Sequence, residues 1–354
     1  MSILDRYIGW TVNRSILTVM GILVAVFSFF QFIDELDSIG QGRYGLVQAA
    51  QFVGLSVPRL TYDLFPVGAL IGSLIGFGAL VSNSEIVVIR CTGVSRWRIV
   101  AAVLKAGVVI MVTAIIIGEW VAPPTDQLAQ HQRSVAIIDQ IALKTRHGFW
   151  ARDGQTYVNI RKVLPGNLVE EIHIYEFDKE NRLRVSTFAK RAGYKEGQWL
   201  LEDLEQTRIE PDRISKQYME HARWESLLNP KLVNLIAIKP NNLSIQDLYK
   251  YIRFLKTNNQ NSLQYEQALW FKITYPVATG VMVFLAIPIV LGKLNTAGVS
   301  QRIVLGSCIG LVFHIINKVA SELGVVLDLN PALSVIFPTL LTLMIALLLM
   351  RRIA

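Results

Sequence analysis

Two stretches without one charged side chain, Ser15 to Ile33 and Leu64 to Ser84, constrain this chain more than any other feature. Each is about the 20 residues a helix needs to cross the hydrocarbon core of a bilayer. Four further apolar runs accompany them. Ile99 to Val121 carries only Lys105 and Glu119, one near each end, and Trp270 to Leu291, Ile303 to about Ile316, and Pro331 to Met350 follow later. The sequence therefore predicts six spans, the fifth crowded at its far end by His314, Asn317 and Lys318. Composition agrees. Charged residues make up 18% of the chain, against about 25% in a soluble domain, and mean hydropathy is +0.40. An apolar content of 52% excludes a disordered chain, and 24 glycines in 354 residues exclude collagen. Cys91 and Cys308, the two cysteines, lie far apart in apolar stretches and indicate neither a disulfide framework nor a metal cluster. The first span is longer than a usual signal-peptide core, and Gln31-Phe32-Ile33-Asp34 offers no small-residue cleavage site, so it reads as retained.

The basic residues set an orientation. The interval 122–269 holds 21 of the 35 Lys and Arg residues, leaving 14 for the membrane half. With the N-terminus in the cytoplasm, ten of those 14 fall on the inner side, among them Arg6, Arg14, Arg90, Arg96, Arg98 and Arg351. Arg43, Arg59, Lys272 and Lys318 are the four outside. The positive-inside bias thus predicts both termini in the cytoplasm and the large polar interval on the other side. Three regions result: 1–121 with spans one to three, 122–269 with an inserted domain and its connectors, and 270–354 with spans four to six.

Inside the inserted region the hydrophobic period changes to two. Gly148 to Arg152 and Thr156 to Ile160 flank Asp153-Gly154, a hairpin signal. Strand-like runs follow over Glu171 to Phe177, Leu183 to Tyr194, Trp199 to Ile209 and Ile214 to Trp224, separated by turns such as Pro165-Gly166-Asn167 and Lys195-Glu196-Gly197. Antiparallel strands at this spacing predict an all-β sandwich, jelly roll or open barrel. Ser244-Ile245-Gln246-Asp247 predicts a capped connector helix with Ile245, Leu248, Tyr249 and Ile252 on one face.

Catalytic signatures are missing. The chain has no G-x-x-x-x-G-K-[ST] and no H-E-x-x-H, and its five histidines lack ligand spacing. The Gly-rich run Gly72 to Gly78 lies inside a span and predicts close helix packing. Ser307 and His314 lie two turns apart on one apolar helix without a nucleophile-turn motif, which does not make a hydrolase. The chain reads as a non-enzyme that binds no metal or cofactor.

Two segments carry functional expectations. In the inner loop 84–98, Ser84 is placed to cap a short helix whose apolar side holds Ile86, Ile89 and Val87, with Glu85 and Arg90 opposite. Such a helix suits docking into a nucleotide-binding partner, Glu85 offering a carboxylate to a basic residue; an interfacial helix anchored to anionic lipid by Arg96, Trp97 and Arg98 is the alternative. The outer collar places Arg43, Arg59 and Arg133 near Phe27, Phe29, Phe30 and Phe32 at the end of the first span. Guanidinium groups beside an apolar wall suit a phosphorylated amphiphile, and pairing with Asp34, Glu35 or Asp37 is the competing expectation.

Several of these blocks together resemble a known family. Leu4-Asp5-Arg6-Tyr7-Ile8, the run Asp34 to Tyr44 with Gly40-Gln41-Gly42, the Ser84 to Gly93 loop, Gly118-Glu119-Trp120-Val121-Ala122-Pro123 and Gly148 to Gly154 are similar to the lipopolysaccharide-export permease family, over essentially the whole chain. The Gly118-Glu119-Trp120 block and the Trp150 hairpin resemble its G-type more than its F-type branch. The resemblance implies an inner-membrane ABC-transporter subunit paired with an F-type permease, with two copies of a cytoplasmic ATPase supplying ATP and Mg chemistry. It also implies a single-span partner with its own jelly roll, lipopolysaccharide as cargo, a periplasmic β-jelly roll, and no nucleic acid. It puts the ATPase-coupling role on the loop holding Ser84, Glu85 and Arg90, and head-group contact on Arg133, while Gln31, Ser38 and Gln130 stand where other members carry Lys or Arg. The competing functions are the F-type subunit and a non-transporting scaffold of envelope assembly.

Overall fold

A computed structural model describes residues 3–41, 43–137, 149–153, 155–164, 168–178, 180, 182–195, 198–210, 213–224, 240–258, 260–292 and 298–352. Along the chain run helices α1 (Ile3–Leu36), α2 (Leu46–Ser82), α3 (Glu85–Cys91) and α4 (Arg96–Ile116), a π-helical turn (Ile117–Val121) and α5 (Ala122–Ile137). Strands β1 (Phe149–Asp153), β2 (Thr156–Leu164), β3 (Leu168–Phe177), β4 (Leu183–Lys195), β5 (Gln198–Ile209) and β6 (Ile214–Trp224) come next. Helices α6 (Ile245–Thr257), α7 (Leu263–Leu291), α8 (Val299–Val326) and α9 (Pro331–Arg351) complete it. These elements form two compact units, one of residues 1–37, 49–129 and 263–354, the other of residues 38–48 and 130–262.

Among the described residues, six helices are long and apolar enough to cross a membrane: α1, α2, the continuous stretch Arg96–Arg133, α7, α8 and α9. The fifth does not end near Ile316 as expected. Helix α8 continues to Val326, so His314, Asn317 and Lys318 lie inside it, and Asn317 is buried. Backbone bonding along an unbroken helix removes the need to stop where polar side chains begin. Helices α2 and α7 are mostly buried, whereas α1 and α8 expose most of their length. The expected close packing of the glycine run is present: a Cβ at Gly72 would lie 2.4 Å from the Cα of Ile16, and one at Gly76 would lie 2.7 Å from Ser15 Oγ. Backbones that approach this closely gain dispersion contact where no hydrophobic drive exists between helices.

The third span is interrupted by its π turn, in which Ala122 N–H donates to the Ile117 carbonyl. The Tyr62 ring fills the space beside Gly118, where a Cβ would come within 2.2 Å of it. Lys272 Nζ donates to the Gly118 carbonyl at 3.1 Å and lies 3.8 Å from the Glu119 carboxylate. Lys272 and Glu119 are therefore drawn inward toward each other, although Lys272 was expected on the outer side and Glu119 at the end of its span. Burying an ammonium is costly unless charge and hydrogen bonds compensate it, and this turn supplies both.

The second unit carries the β domain. Its six strands pair in the order β1-β2-β3-β4-β5-β6, every neighbour antiparallel. Among the described strands each pairs only with its sequence neighbours, which gives the expected antiparallel β domain the order of a meander. Short connections explain it, since Asp153 pairs with Thr156, Leu164 with Leu168 and Lys195 with Gln198, and tight hairpins dictate a meander. Gly154 and Pro165-Gly166-Asn167, expected as turns, lie outside the described residues. The core face holds Val158, Ile160, Ile172, Ile174, Trp199 and Leu204.

A row across the sheet departs from simple alternation. Glu170 pairs with Arg191 and Ile172 with Ala189, so Glu171 and Lys190 fall between register pairs, as do Arg161, Asp203 and Glu220 on the other strands. Glu171 and Asp203 take φ values of 55° and 53°. These left-handed residues interrupt the alternation without shifting the register, so Val169 and Ile172 both face inward, and likewise Leu201 and Leu204. Helix α6 begins as the sequence predicts, Ser244 Oγ accepting from Asp247 N–H at 3.1 Å. Its buried face is Leu248, Tyr251, Ile252 and Leu255, with Tyr249 outside, a correction to the expected face. Period 3.6 carries the stripe from Leu248 through Tyr251 to Leu255 and leaves Tyr249 a quarter-turn away.

Candidate functional site

The loop expected to couple to a partner does contain a short helix, α3, leaving α2 through Ser84 at φ 63° and ending before Gly93 at φ 86°. Ser84 occupies the N-cap position, but its hydroxyl makes no capping bond; its carbonyl accepts from Val88 N–H at 3.1 Å instead. A left-handed N-cap points the side chain away from the first-turn amides, which need an extended residue before them. Ile86 is buried and Ile89 packs against the helical core, as expected. Val87 is not on that side: it and Val88 are 57% and 63% exposed. Arg90 is exposed, and Arg96, Trp97 and Arg98 belong to the start of α4 rather than to α3. The Glu85 carboxylate is not free in solvent, because Tyr7 Oη donates to its Oε2 at 2.7 Å. Tyr7 and Glu85 border a shallow groove of about 590 Å³ whose apolar wall includes Ile3, Leu4, Val88 and Ile89. This surface combines a carboxylate with exposed valines, a mixture suited to a protein partner, while Arg90 borders a separate pocket with Ile86, Arg96, Ile99 and Leu291.

The arginines of the expected collar divide. Arg59 belongs to the helical unit, donating from Nε to Asp63 Oδ2 at 3.2 Å on its own helix. It is acid-paired, with Asp63 in place of the expected Asp34, Glu35 or Asp37. Arg43 and Arg133 belong to the other unit. Arg43 N–H donates to the Ala136 carbonyl at 2.8 Å, one helical turn from Arg133. Arg133 Nη2 donates to Ser38 Oγ at 3.0 Å, and its Cζ lies 6.0 Å from the centre of the Tyr44 ring. One guanidinium, a hydroxyl and an aromatic face thus meet at one place, with the Arg43 backbone bonded one helical turn away, which suits a phosphate oxygen.

The aromatics also divide. Phe27, Phe29 and Phe30 are 46%, 62% and 57% exposed on α1, Phe29 and Phe30 edge to face at 6.3 Å. Phe32 instead packs with Phe52, Val53 and Ala129, so it holds helices together rather than lining an open surface. Ser307 and His314 are both exposed on α8. Among the described residues no group of three or more His, Cys, Asp or Glu side chains is placed to hold a metal ion.

Sequence reasoning missed Tyr7 and the Lys272–Gly118 contact. A lone lysine within the apolar run from Trp270 to Leu291 was the available signal for the second. Tyr7 gave no signal of its own beyond the block it shares with Leu4 to Ile8.

Comparison with known proteins follows the same lines. A family model described as "Lipopolysaccharide export system permease LptF/LptG" matches residues 6–352. The chain is 34% identical to the lipopolysaccharide export system permease protein LptG of Haemophilus influenzae, covering 96% of this chain and 95% of that protein. It is 31% identical to the LptG protein of Escherichia coli K12, over 99% of this chain and 98% of that one. To the LptF protein of Escherichia coli K12 the identity is 21%, over 70% of this chain and 68% of that one. A six-span helical unit, an inserted antiparallel β domain and a match from end to end lead to one conclusion: this chain belongs to the lipopolysaccharide export permease LptF/LptG family, on its G-type side.

Proposed function

We propose that this chain is the G-type subunit of an inner-membrane ABC transporter that extracts lipopolysaccharide and passes it toward a periplasmic bridge. The end-to-end likeness to proteins named LptG, against a partial likeness to LptF, carries the reading. An F-type permease pairs with it, two copies of a cytoplasmic ATPase supply ATP and Mg chemistry, and a single-span jelly-roll protein joins on the periplasmic side. The ten-to-four distribution of basic residues supports cytoplasmic termini, with α3 inside and the β domain in the periplasm.

The physical task is to move acyl chains out of a bilayer. At about 0.8 kcal/mol per CH₂, exposing one long chain to water would cost on the order of 10 kcal/mol. Phe27, Phe29 and Phe30 are exposed apolar surface that keeps such chains dry. Arg133 and Arg43, with Ser38 and Tyr44, are the groups for a phosphorylated head. The work of closure comes from the ATPase, engaged through Glu85, Arg90 and the Ser84 turn.

The test is lipid release from vesicles holding the chain with its F-type partner and ATPase. Release should require all three, and Glu85→Lys should lower it by about tenfold or more, since a reversed charge both loses an ion pair and adds repulsion. Release without the ATPase would overturn the transporter reading. Full release with Glu85→Lys would overturn the coupling role alone.

A further inference from the structure

We propose that Tyr7 is a positioning residue for coupling: its hydroxyl orients the Glu85 carboxylate and ties α3 to the first span, so that a push on Glu85 enters α1. The inference rests on the coupling role of Glu85 proposed above. Its ground is a contact between residues 78 positions apart, Tyr7 Oη to Glu85 Oε2 at 2.7 Å. A hydroxyl-to-carboxylate bond of this length is charge-assisted, the strong kind, and it fixes one of the two carboxylate oxygens. Glu85 alone has three rotatable bonds, and a basic residue of a partner gains from meeting one rotamer instead of many.

The surroundings of α3 make this tether matter. The helix has seven residues and is bounded by two left-handed positions, Ser84 and Gly93. Ile86 is its buried anchor, whereas Val87 and Val88 face outward. Helix α1, in contrast, is firmly held where Tyr7 sits: Ile8, Val12 and Ile16 are fully buried, and Lys105 Nζ of α4 contacts Asp5 Oδ2 at 2.6 Å. A force on Glu85 therefore reaches a rigid, packed helix through Tyr7, and reaches α4 through Asp5. The far end of that same helix carries Phe27, Phe29 and Phe30.

Tyr7→Phe removes only the hydroxyl and keeps the ring in the groove. In the complete complex, the ATPase should still copurify with the Tyr7→Phe permease, with the thermal midpoint unchanged. Lipid released per ATP hydrolysed should fall about three- to tenfold, the range expected from losing one charge-assisted hydrogen bond. Adding Tyr7→Phe to Glu85→Ala should then produce little further loss, because both act through one contact. An unchanged ratio of lipid to ATP with Tyr7→Phe, or ATPase association that strengthens, would overturn the inference; the latter would mean that Tyr7 competes with the partner for Glu85. A lower thermal midpoint that accounts for the loss would likewise overturn it by making Tyr7 merely structural. Failure of the coupling role itself shows separately, as full release by Glu85→Lys.

Discussion

The two halves of α1 differ more than their sequences do. From Asp5 to Met20 one side of the helix is sealed, with Ile8, Val12 and Ile16 at 0% exposure and Gly72 and Gly76 of α2 pressed against Ile16 and Ser15. From Val26 to Ile33 the same helix exposes Val26, Phe27, Phe29, Phe30 and Ile33. Both halves are apolar, so hydropathy treats them alike; what separates them is whether a neighbouring backbone comes close. A helix clamped along one half and more lightly held along the other, where Phe32 packs on Phe52, Val53 and Ala129 beside the exposed rings, behaves as a lever. In a lipid exporter its exposed face is where partner or cargo must contribute the missing contacts.

The clamp offers the most severe way to break this contrast. Gly72→Val would drive a branched side chain into the Ile16 backbone, where even a Cβ would sit 2.4 Å from Cα. Backbone cannot swing aside as a flexible side chain does, so the expected loss is at least about 3 kcal/mol. Size-exclusion profiles and denaturant midpoints in detergent would measure it, and a folded, fully stable variant would show that the clamp is loose.

The exposed face should respond in the opposite sense. Phe29→Ala and Phe30→Ala remove rings that touch each other but little else on this chain, so stability should move by no more than about 0.5 kcal/mol. Photocrosslinking to lipid in the assembled complex should fall by up to about tenfold, because a fully covered phenyl ring contributes roughly 1.5–3 kcal/mol. A large stability loss without any change in crosslinking would place those rings in the fold and remove the lever's exposed face.

How much of this could be read beforehand follows from the range of each interaction. The spans and strands are local patterns of period and length, and all six strands appear where alternation puts them, within a few residues. Local chemistry also gave the Ser244 cap and the packed glycine run. It failed at Ser84, whose residue type suits a cap but whose φ of 63° prevents one, and at Tyr249, an amphipathic ring that period alone assigned to the wrong side. The meander order was hidden because strand-like runs say nothing about which strands pair. Tyr7 with Glu85, and Lys272 with Gly118, join residues 78 and 154 positions apart, and only the packed bundle brings them together. Arg133 was found, but its Ser38 and Tyr44 partners come from a separate stretch of chain.

The smallest expected effect gives the sharpest view of the lever. Gly21 lies between the two halves of α1, and a Cβ there would meet no atom within 4 Å. Gly21→Ala should therefore fit without strain and raise helix stability by up to about 1 kcal/mol, the usual preference for alanine over glycine. Because α1 is one unbroken helix from Ile3 to Leu36, it should transmit motion as a rigid body, and lipid release should stay at its original level. If release instead drops while stability rises, α1 bends at Gly21 during the cycle. The boundary between clamped and lightly held halves would then be a working hinge, and the comparison would concern two segments moving against each other instead of one helix held more tightly along one half.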